Sequence, residues 1–327
     1  MIEVATEVEH WELVEPFVTA RDRVERLPVL VATLRSTDGR RGRGEAAGVD
    51  YDGETPESMA AQIEAVRGAL EDDLTGEELL GLLPAGGARN ALDCALWDLR
   101  AKQSGKPAWQ LAGLAEPAPL VTACTIGLGD AAETRRRARA LRGYELVKLK
   151  VDATHTLDIV RIAREELPDS RLVVDANQSW SRALLEQLLP PLRDLGVELV
   201  EQPLPRGADA ALDGLRPPVP LAADESCTDR ASLAGLAGRY ACVNLKLDKC
   251  GGLTEALAMA HEARRLGLEL MVGNMCGSSL AMAPAFLVAQ LCRYVDLDGP
   301  LLQKHDREHA MQYSTGRAFP PRPALWG

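Results

Sequence analysis

Aromatic residues are scarce. Five Trp, five Tyr and three Phe make up 4% of the 327 residues, so leucine, alanine and valine must fill any core. The seven cysteines (Cys94, Cys124, Cys227, Cys242, Cys250, Cys276 and Cys292) are odd in number and contain no CxxC pair. Disulfide and zinc frameworks need matched spacings, so both are excluded, and mostly buried thiols in a reducing cytosol are expected. No apolar run approaches the roughly 18 residues that span a bilayer. The opening Met1-Ile2-Glu3-Val4 lacks the charged-then-apolar pattern of a signal peptide. Both absences point to a cytoplasmic protein. Positive charge is also short: the net charge of -11 argues against nucleic acid or an anionic membrane as partner. The clusters Arg40-Arg41-Gly42-Arg43 and Arg135-Arg136-Arg137 are too small to form an electrostatic footprint. Two signatures are missing as well. Ser278-Ser279 lacks a Gly-x-Ser-x-Gly elbow, and no helix start follows Gly42-Arg43-Gly44, which reads as hairpin rather than phosphate loop.

What remains is ordinary for a soluble globular enzyme, with 46% hydrophobic and 26% charged residues. The length suits two domains, or one large barrel with an appendage. Residues 1–115 read as strands followed by helices, an α+β pattern. Val29–Arg35 is partly β-branched and ends at the turn signal Asp38-Gly39. Pro56-Glu57-Ser58 opens a helix with Met59, Ile63, Val66 and Leu70 on one face, and a second helix covers about 88–103. The Pro-rich segment Ala115–Pro119 reads as a domain boundary. From there to residue 300, eight strand candidates alternate with helical segments: 121–127, 146–151, 171–177, 198–203, 220–225, 241–247, 268–273 and 293–297. Strict alternation predicts an α/β barrel. Residues 301–327 read as a tail returning to the first domain. Barrel helices look alike whether solvated or paired, so a homo-oligomer stays open.

Five charged residues recur at the strand ends: Lys150, Asp175, Glu201, Asp224 and Lys249. Their gaps of 25, 26, 23 and 25 residues match one βα unit each. The carboxyl ends of barrel strands are where active sites are built. Convergent carboxylates repel strongly unless a cation neutralises them, and an oxygen-only ligand set suits Mg²⁺ or Mn²⁺ rather than zinc. Lys148 and Lys150 share a strand face. A lysine beside a second ammonium and a divalent cation is driven toward a working base. Bases on opposite walls can remove a proton from one face of a carbon and return one to the other.

The motifs Lys148-Leu149-Lys150, Asp175-Ala176-Asn177, Glu201-Gln202-Pro203, Asp224-Glu225-Ser226 and Lys246-Leu247-Asp248-Lys249-Cys250-Gly251-Gly252 resemble the enolase superfamily, muconate-lactonizing subgroup. Asn90-Ala91-Leu92-Asp93 and Leu96-Trp97-Asp98-Leu99 extend the likeness into the first domain. Asp296-Leu297-Asp298-Gly299-Pro300 is similar to the Asp-x-Asp signature of dipeptide epimerases. The resemblance implies a (β/α)₇β TIM-like barrel with an N-terminal α+β capping domain. It implies one Mg²⁺ per subunit on Asp175, Glu201 and Asp224, with Lys150 and Lys249 as the acid/base pair. These would act through an enediolate on the α-carbon of the C-terminal residue of a dipeptide, of the L-Ala-D/L-Glu kind found in peptidoglycan turnover. Lys148 would help hold the substrate carboxylate, Asp296 and Asp298 its α-ammonium, and Thr125 a minor polar contact. Arg21 would bind a glutamate side chain in its fork. The mandelate-racemase-like histidine after strand seven is absent, since that stretch reads Gly273-Asn274-Met275. An o-succinylbenzoate synthase or another cycloisomerase or β-elimination enzyme of the subgroup is the alternative, and it needs no ammonium-binding pair.

Overall fold

The computed structural model describes residues 2–18, 23–70 and 74–327. Strands β1 (Glu3–Val18), β2 (Arg23–Arg35) and β3 (Arg41–Ala46) form an antiparallel sheet in that order. The run Val29–Ala32 is apolar without alternation because both faces of β2 are covered there. Leu30, Ala32 and Leu34 join the core under the first-domain helices, whereas Val31 joins the large core of the barrel. Helices α1 (Pro56–Val66), α2 (Gly76–Leu82), α3 (Gly87–Ser104) and α4 (Ala108–Leu111) follow. Thr55 and Thr75 each close a capping box that starts α1 and α2. Gly42 and Gly44 have a packing role: β3 lies so close on α3 that a side chain at either would collide with helix backbone.

Strand β4 (Leu120–Val121) leads into an eight-stranded parallel sheet. Its strands are β5 (Cys124–Ile126), β6 (Leu146–Lys150), β7 (Arg171–Asp175), β8 (Val197–Glu201), β9 (Leu221–Ala223), β10 (Cys242–Leu245), β11 (Glu269–Val272) and β12 (Tyr294–Val295), each beside the next. The Ala123 N–H donates to the Val295 carbonyl at 2.7 Å, and the Leu297 N–H to Thr122 Oγ1 at 2.9 Å, so β12 meets the start of the sheet. The crossovers carry α5 (Ala131–Ala140), α6 (Thr156–Glu166), α7 (Arg182–Asp194), α8 (Arg230–Leu236), α9 (Leu247–Cys250) with α10 (Leu253–Arg265), and α11 (Ser279–Ala289). The β8–β9 crossover departs from the expected alternation. It holds only a 3-10 helix, Asp209–Leu212, because Pro203, Pro205, Pro217, Pro218 and Pro220 with Gly207 and Gly214 leave no helix-length run. The result is a TIM-like barrel with an antiparallel sheet and helices over one end.

Near the C-terminus β13 (Tyr313–Ser314) pairs with β14 (Arg317–Ala318), and β14 pairs with β4. Trp326 Nε1 donates to the Cys94 carbonyl of α3 at 3.0 Å. All seven cysteines are free thiols and five are buried. Among the described residues no helix is long and apolar enough to cross a membrane. The β3–α3 contact gives a direct check: Gly44→Ala should lower the unfolding free energy by about 2–3 kcal/mol in a denaturant titration, and an unchanged midpoint would show that the contact is loose.

Candidate active site

Side chains alternate along each barrel strand. Ala123, Leu146, Val173, Leu199, Ala222, Cys242, Met271 and Tyr294 form one buried apolar layer inside the barrel. Two residues further along each strand comes the next inward layer: Thr125, Lys148, Asp175, Glu201, Asp224, Asn244, Gly273 and Asp296. Two further still come Lys150, Lys246 and Asp298. In the register Thr125 pairs with Lys148 and Asp175 with Glu201, whereas Lys150 pairs with Asp175, so the charged layer shifts by one residue pair between β6 and β7. An apolar floor thus carries a layer of charge one residue pair above it.

Asp175, Glu201 and Asp224 are at most 1% exposed, and each offers an oxygen within 4.8 Å of the others. Lysines surround them. Lys148 Nζ lies 3.0 Å from Asp175 Oδ2, 2.8 Å from Glu201 Oε2 and 2.8 Å from Asp296 Oδ2. Lys150 Nζ lies 2.7 Å from Asp175 Oδ2. Lys246 and Lys249 reach the two oxygens of Asp224 at 2.7 and 2.6 Å. Burial would depress Lys148, but Asp175, Asp296 and Glu201 outweigh it and hold its pKa well above the ordinary lysine range. Lys246 is raised in the same way, by Asp224 against burial. Burial would raise Asp224, yet Lys246 and Lys249 hold it well below the usual carboxylate range. Glu201 goes the other way: burial, and then Asp175, push it up to about 8. Lys148 and Lys246 therefore serve as counter-ions to the carboxylates here.

The carboxylates fit a hard divalent cation. The three donors are all oxygen and their spacing lies within reach of one small ion. Glu201 Oε2 is buried and accepts no well-directed hydrogen bond, although the Lys148 ammonium is close. Asn244, which sequence reading passed over, donates from Nδ2 to Glu201 Oε1 at 2.7 Å and so fixes which oxygen faces inward.

The geometry sets Lys249 apart from the other lysines, because its ammonium turns to the backbone as well as to Asp224. It sits on α9, and its ammonium donates to the Asp224 carbonyl, to the Asn244 carbonyl at 3.1 Å and to Asp224 Oδ1. Three donors are thereby committed to fixed acceptors, which suits a structural tie and not a proton carrier. Lys246, at the end of β10 and in step with Cys242 and Asn244, takes the inward position. Its Nζ reaches Asp224 Oδ2 and, at 3.8 Å, Met275 Sδ. Strands β6 and β10 are four apart in an eight-stranded barrel, so Lys150 and Lys246 stand on opposite walls.

Asp296 and Asp298 lie beside this cluster, both 5% exposed. Asp298 Oδ2 accepts the Thr125 N–H at 2.7 Å, and Thr125 Oγ1 is 3.5 Å from Asp296 Oδ1. Burial and the neighbouring Asp296 push Asp298 up to about 7. Arg21 lies outside the described residues.

A capped barrel whose mouth holds three buried carboxylates between two lysine walls is built to take a proton from a carbon next to a metal-bound acid. Residues 1–113 match the mandelate racemase/muconate lactonizing enzyme N-terminal domain, and residues 130–323 the enolase C-terminal domain-like model. The chain belongs to the enolase superfamily, in its mandelate racemase/muconate lactonizing enzyme family. It is 44% identical to the L-Ala-D/L-Glu epimerase of Escherichia coli (strain K12) over 94% of this chain and 96% of that protein. A crystal structure of an enolase family member from Agrobacterium tumefaciens, described as homologous to dipeptide epimerases and holding sodium and L-Ala-L-Glu, is 41% identical. It superposes with a TM-score of 0.97 over 100% of both chains. The dipeptide epimerase of Methylococcus capsulatus, complexed with Mg and L-Arg-D-Lys, is 33% identical. Its TM-score is 0.92, over 99% of this chain and 98% of that one.

Cation binding should be linked to a proton. Glu201 is protonated below about 8 without the ion and must ionise to bind it. Mg²⁺ affinity should therefore rise with pH and level off above about 8. Calorimetry near pH 7 in two buffers of different ionisation enthalpy should show release of up to about one proton. Buffer-independent heats would contradict the assignment.

Proposed function

We propose that this chain is a Mg²⁺-dependent dipeptide epimerase that inverts the α-carbon of a dipeptide's C-terminal residue, with L-Ala-D/L-Glu as its substrate. The observation that carries this reading is the pairing of two lysines on opposite walls with a separate buried carboxylate pair. When bound, the cation holds the substrate carboxylate and stabilises the charge that develops there as the α-proton leaves. Asp175, Glu201 and Asp224 would hold it, and Lys148 adds a fixed positive charge beside them. Lys150 Nζ, 2.7 Å from Asp175 Oδ2, and Lys246 Nζ, 2.7 Å from Asp224 Oδ2, stand beside the carboxylates from opposite sides, where each would carry the α-proton. Each serves one face of the α-carbon, so removal by one and delivery by the other inverts it. Lys249 ties Asp224 to the backbone.

Asp298 supports a dipeptide over other substrates of the family. Burial beside Asp296 leaves it poorly disposed to ionise, and an incoming α-ammonium supplies the missing cation. An o-succinylbenzoate synthase has no use for such a pair. Arg21 is assigned to the glutamate side chain on the resemblance of its segment, and Thr125 orients Asp298 through its backbone. Seven free thiols suit the cytoplasm, where dipeptides from peptidoglycan turnover would be the supply.

Two outcomes are expected. Lys150→Ala and Lys246→Ala should each slow L-Ala-L-Glu epimerisation by roughly 10²–10⁴-fold in a chiral chromatographic assay. A Lys246→Ala variant that epimerises normally would end the two-base reading. The second concerns pH. Asp298 must be ionised to hold an ammonium, so KM should climb as pH falls below about 7, and Asp298→Asn should raise KM and flatten that profile. A KM that stays flat across this range in the native protein would remove Asp298 from substrate binding.

A further inference from the structure

Glu45, in β3, is 1% exposed, and β3 lies outside the barrel. Its Oε1 accepts the Ser278 N–H at 2.7 Å. Its Oε2 accepts Arg307 Nε at 2.9 Å and Arg307 Nη2 at 2.6 Å, together with the Ser278 hydroxyl. Arg307 also bonds Glu9 and lies over the Trp11 ring, 5.1 Å from its centroid. Ser278 is the N-cap of α11, so Glu45 fixes where the loop between β11 and α11 must end. A side chain at Gly277 would press on Glu45 Oε1, so the approach is close.

That loop touches the site twice. Asn274 Nδ2 donates to the Asp296 carbonyl at 2.6 Å, while its Oδ1 accepts the Cys276 N–H at 2.7 Å. Met275 Sδ contacts Lys246 Nζ, and Gly273 leaves room for the Asn244 amide and for Lys246 Cε, which a Cβ there would crowd. Cys276 holds φ of 65°, a left-handed conformation that a β-carbon disfavours unless its surroundings enforce it. The Glu45 anchor at one end and β11 at the other supply that enforcement. Lys150 stands on the opposite wall, on β6; its charge is felt at Cys276, but its ammonium bonds Asp175 and not the loop.

The geometry points to Glu45 as a positioning residue for Lys246, acting through Ser278 and the loop 273–277. Glu45 touches no reacting atom. Its carboxylate sets the loop, the loop sets the Lys246 side chain, and so one of the two bases depends on it more than the other. This inference rests on the assignment of Lys150 and Lys246 as the two bases. It yields a signature that a general loss of stability cannot produce, because a disturbed Lys246 impairs inversion while Lys150 still exchanges the proton on its own face.

The test uses full-length protein with Mg²⁺ in D₂O, started separately from L-Ala-L-Glu and L-Ala-D-Glu. NMR reads deuterium uptake at the glutamate α-carbon, and chiral chromatography reads inversion. Glu45→Gln keeps the shape and removes the charge. It should raise the ratio of exchange to inversion at least tenfold for one epimer and leave it near the native value for the other. Ser278→Ala, which removes a hydroxyl without unpairing a buried charge, should shift the same epimer's ratio in the same direction by a smaller factor, so the test survives if Glu45→Gln fails to fold. Glu9→Gln, which touches Arg307 from the more exposed side, should leave both ratios unchanged. If exchange and inversion fall together from both epimers in Glu45→Gln and Ser278→Ala, or if neither changes, Glu45 does not position Lys246. A native protein that exchanges neither epimer overturns the two-base assignment and this inference with it.

Discussion

Three carboxylates buried within 4.8 Å of one another cannot all remain ionised without positive charge close by. The rest of the barrel mouth follows from that constraint. Lys148, Lys150, Lys246 and Lys249 are all 9% exposed or less, and each lies against Asp175, Glu201 or Asp224. Without a cation the lysines do the neutralising, which keeps Lys148 and Lys246 protonated. A divalent cation held by Asp175, Glu201 and Asp224 would supply that positive charge in the lysines' place, so the charge state of the lysines would depend on whether the cation is bound.

The first domain is fastened to the barrel by further buried polar groups, close to Lys246. Asp248 accepts the Gly48 N–H at 2.9 Å, and burial pushes it up to about 7. Arg89 of α3 donates to the Cys250 carbonyl at 2.6 Å and the Gly251 carbonyl at 3.2 Å. Asp93 accepts the Thr254 N–H at 2.9 Å and the Thr254 hydroxyl at 2.6 Å. These contacts all fall on residues 248–254, directly after Lys246. The segment that follows β10 and Lys246 is therefore also the segment on which the cap sits. Glu45 grips the next loop from the same side, so the cap touches two consecutive strand–helix loops of the mouth.

Much of this was legible in the sequence, for identifiable reasons. Apolar strand segments near a 25-residue spacing made the barrel readable, and charged residues at strand ends made the carboxylate triad readable. The same reliance on spacing singled out Lys249 and passed over Lys246, the residue that we propose in its place. Lys249 fits the period, but inward alternation along β10 runs Cys242, Asn244, Lys246, and parity decides what faces the mouth. The helix missing from the β8–β9 crossover was signalled by its prolines. Asn244 looked like an ordinary polar strand residue, because its importance lies in one bond to Glu201, 43 positions away. Glu45 was less readable still: Ser278 and Arg307 stand 233 and 262 residues further on, and no local pattern announces them.

The central claim is that a metal-organised carboxylate cluster lets this chain exchange the α-proton of a dipeptide's C-terminal residue. The most direct measurement follows that proton by NMR in D₂O, with L-Ala-L-Glu and with L-Ala-D-Glu, in the presence of Mg²⁺ and after its removal with a chelator. The account predicts loss of the glutamate α-proton signal from both epimers only when Mg²⁺ is present, with the alanine α-proton retained throughout. Exchange that continues without the metal, or no exchange from either epimer with it, would contradict the account.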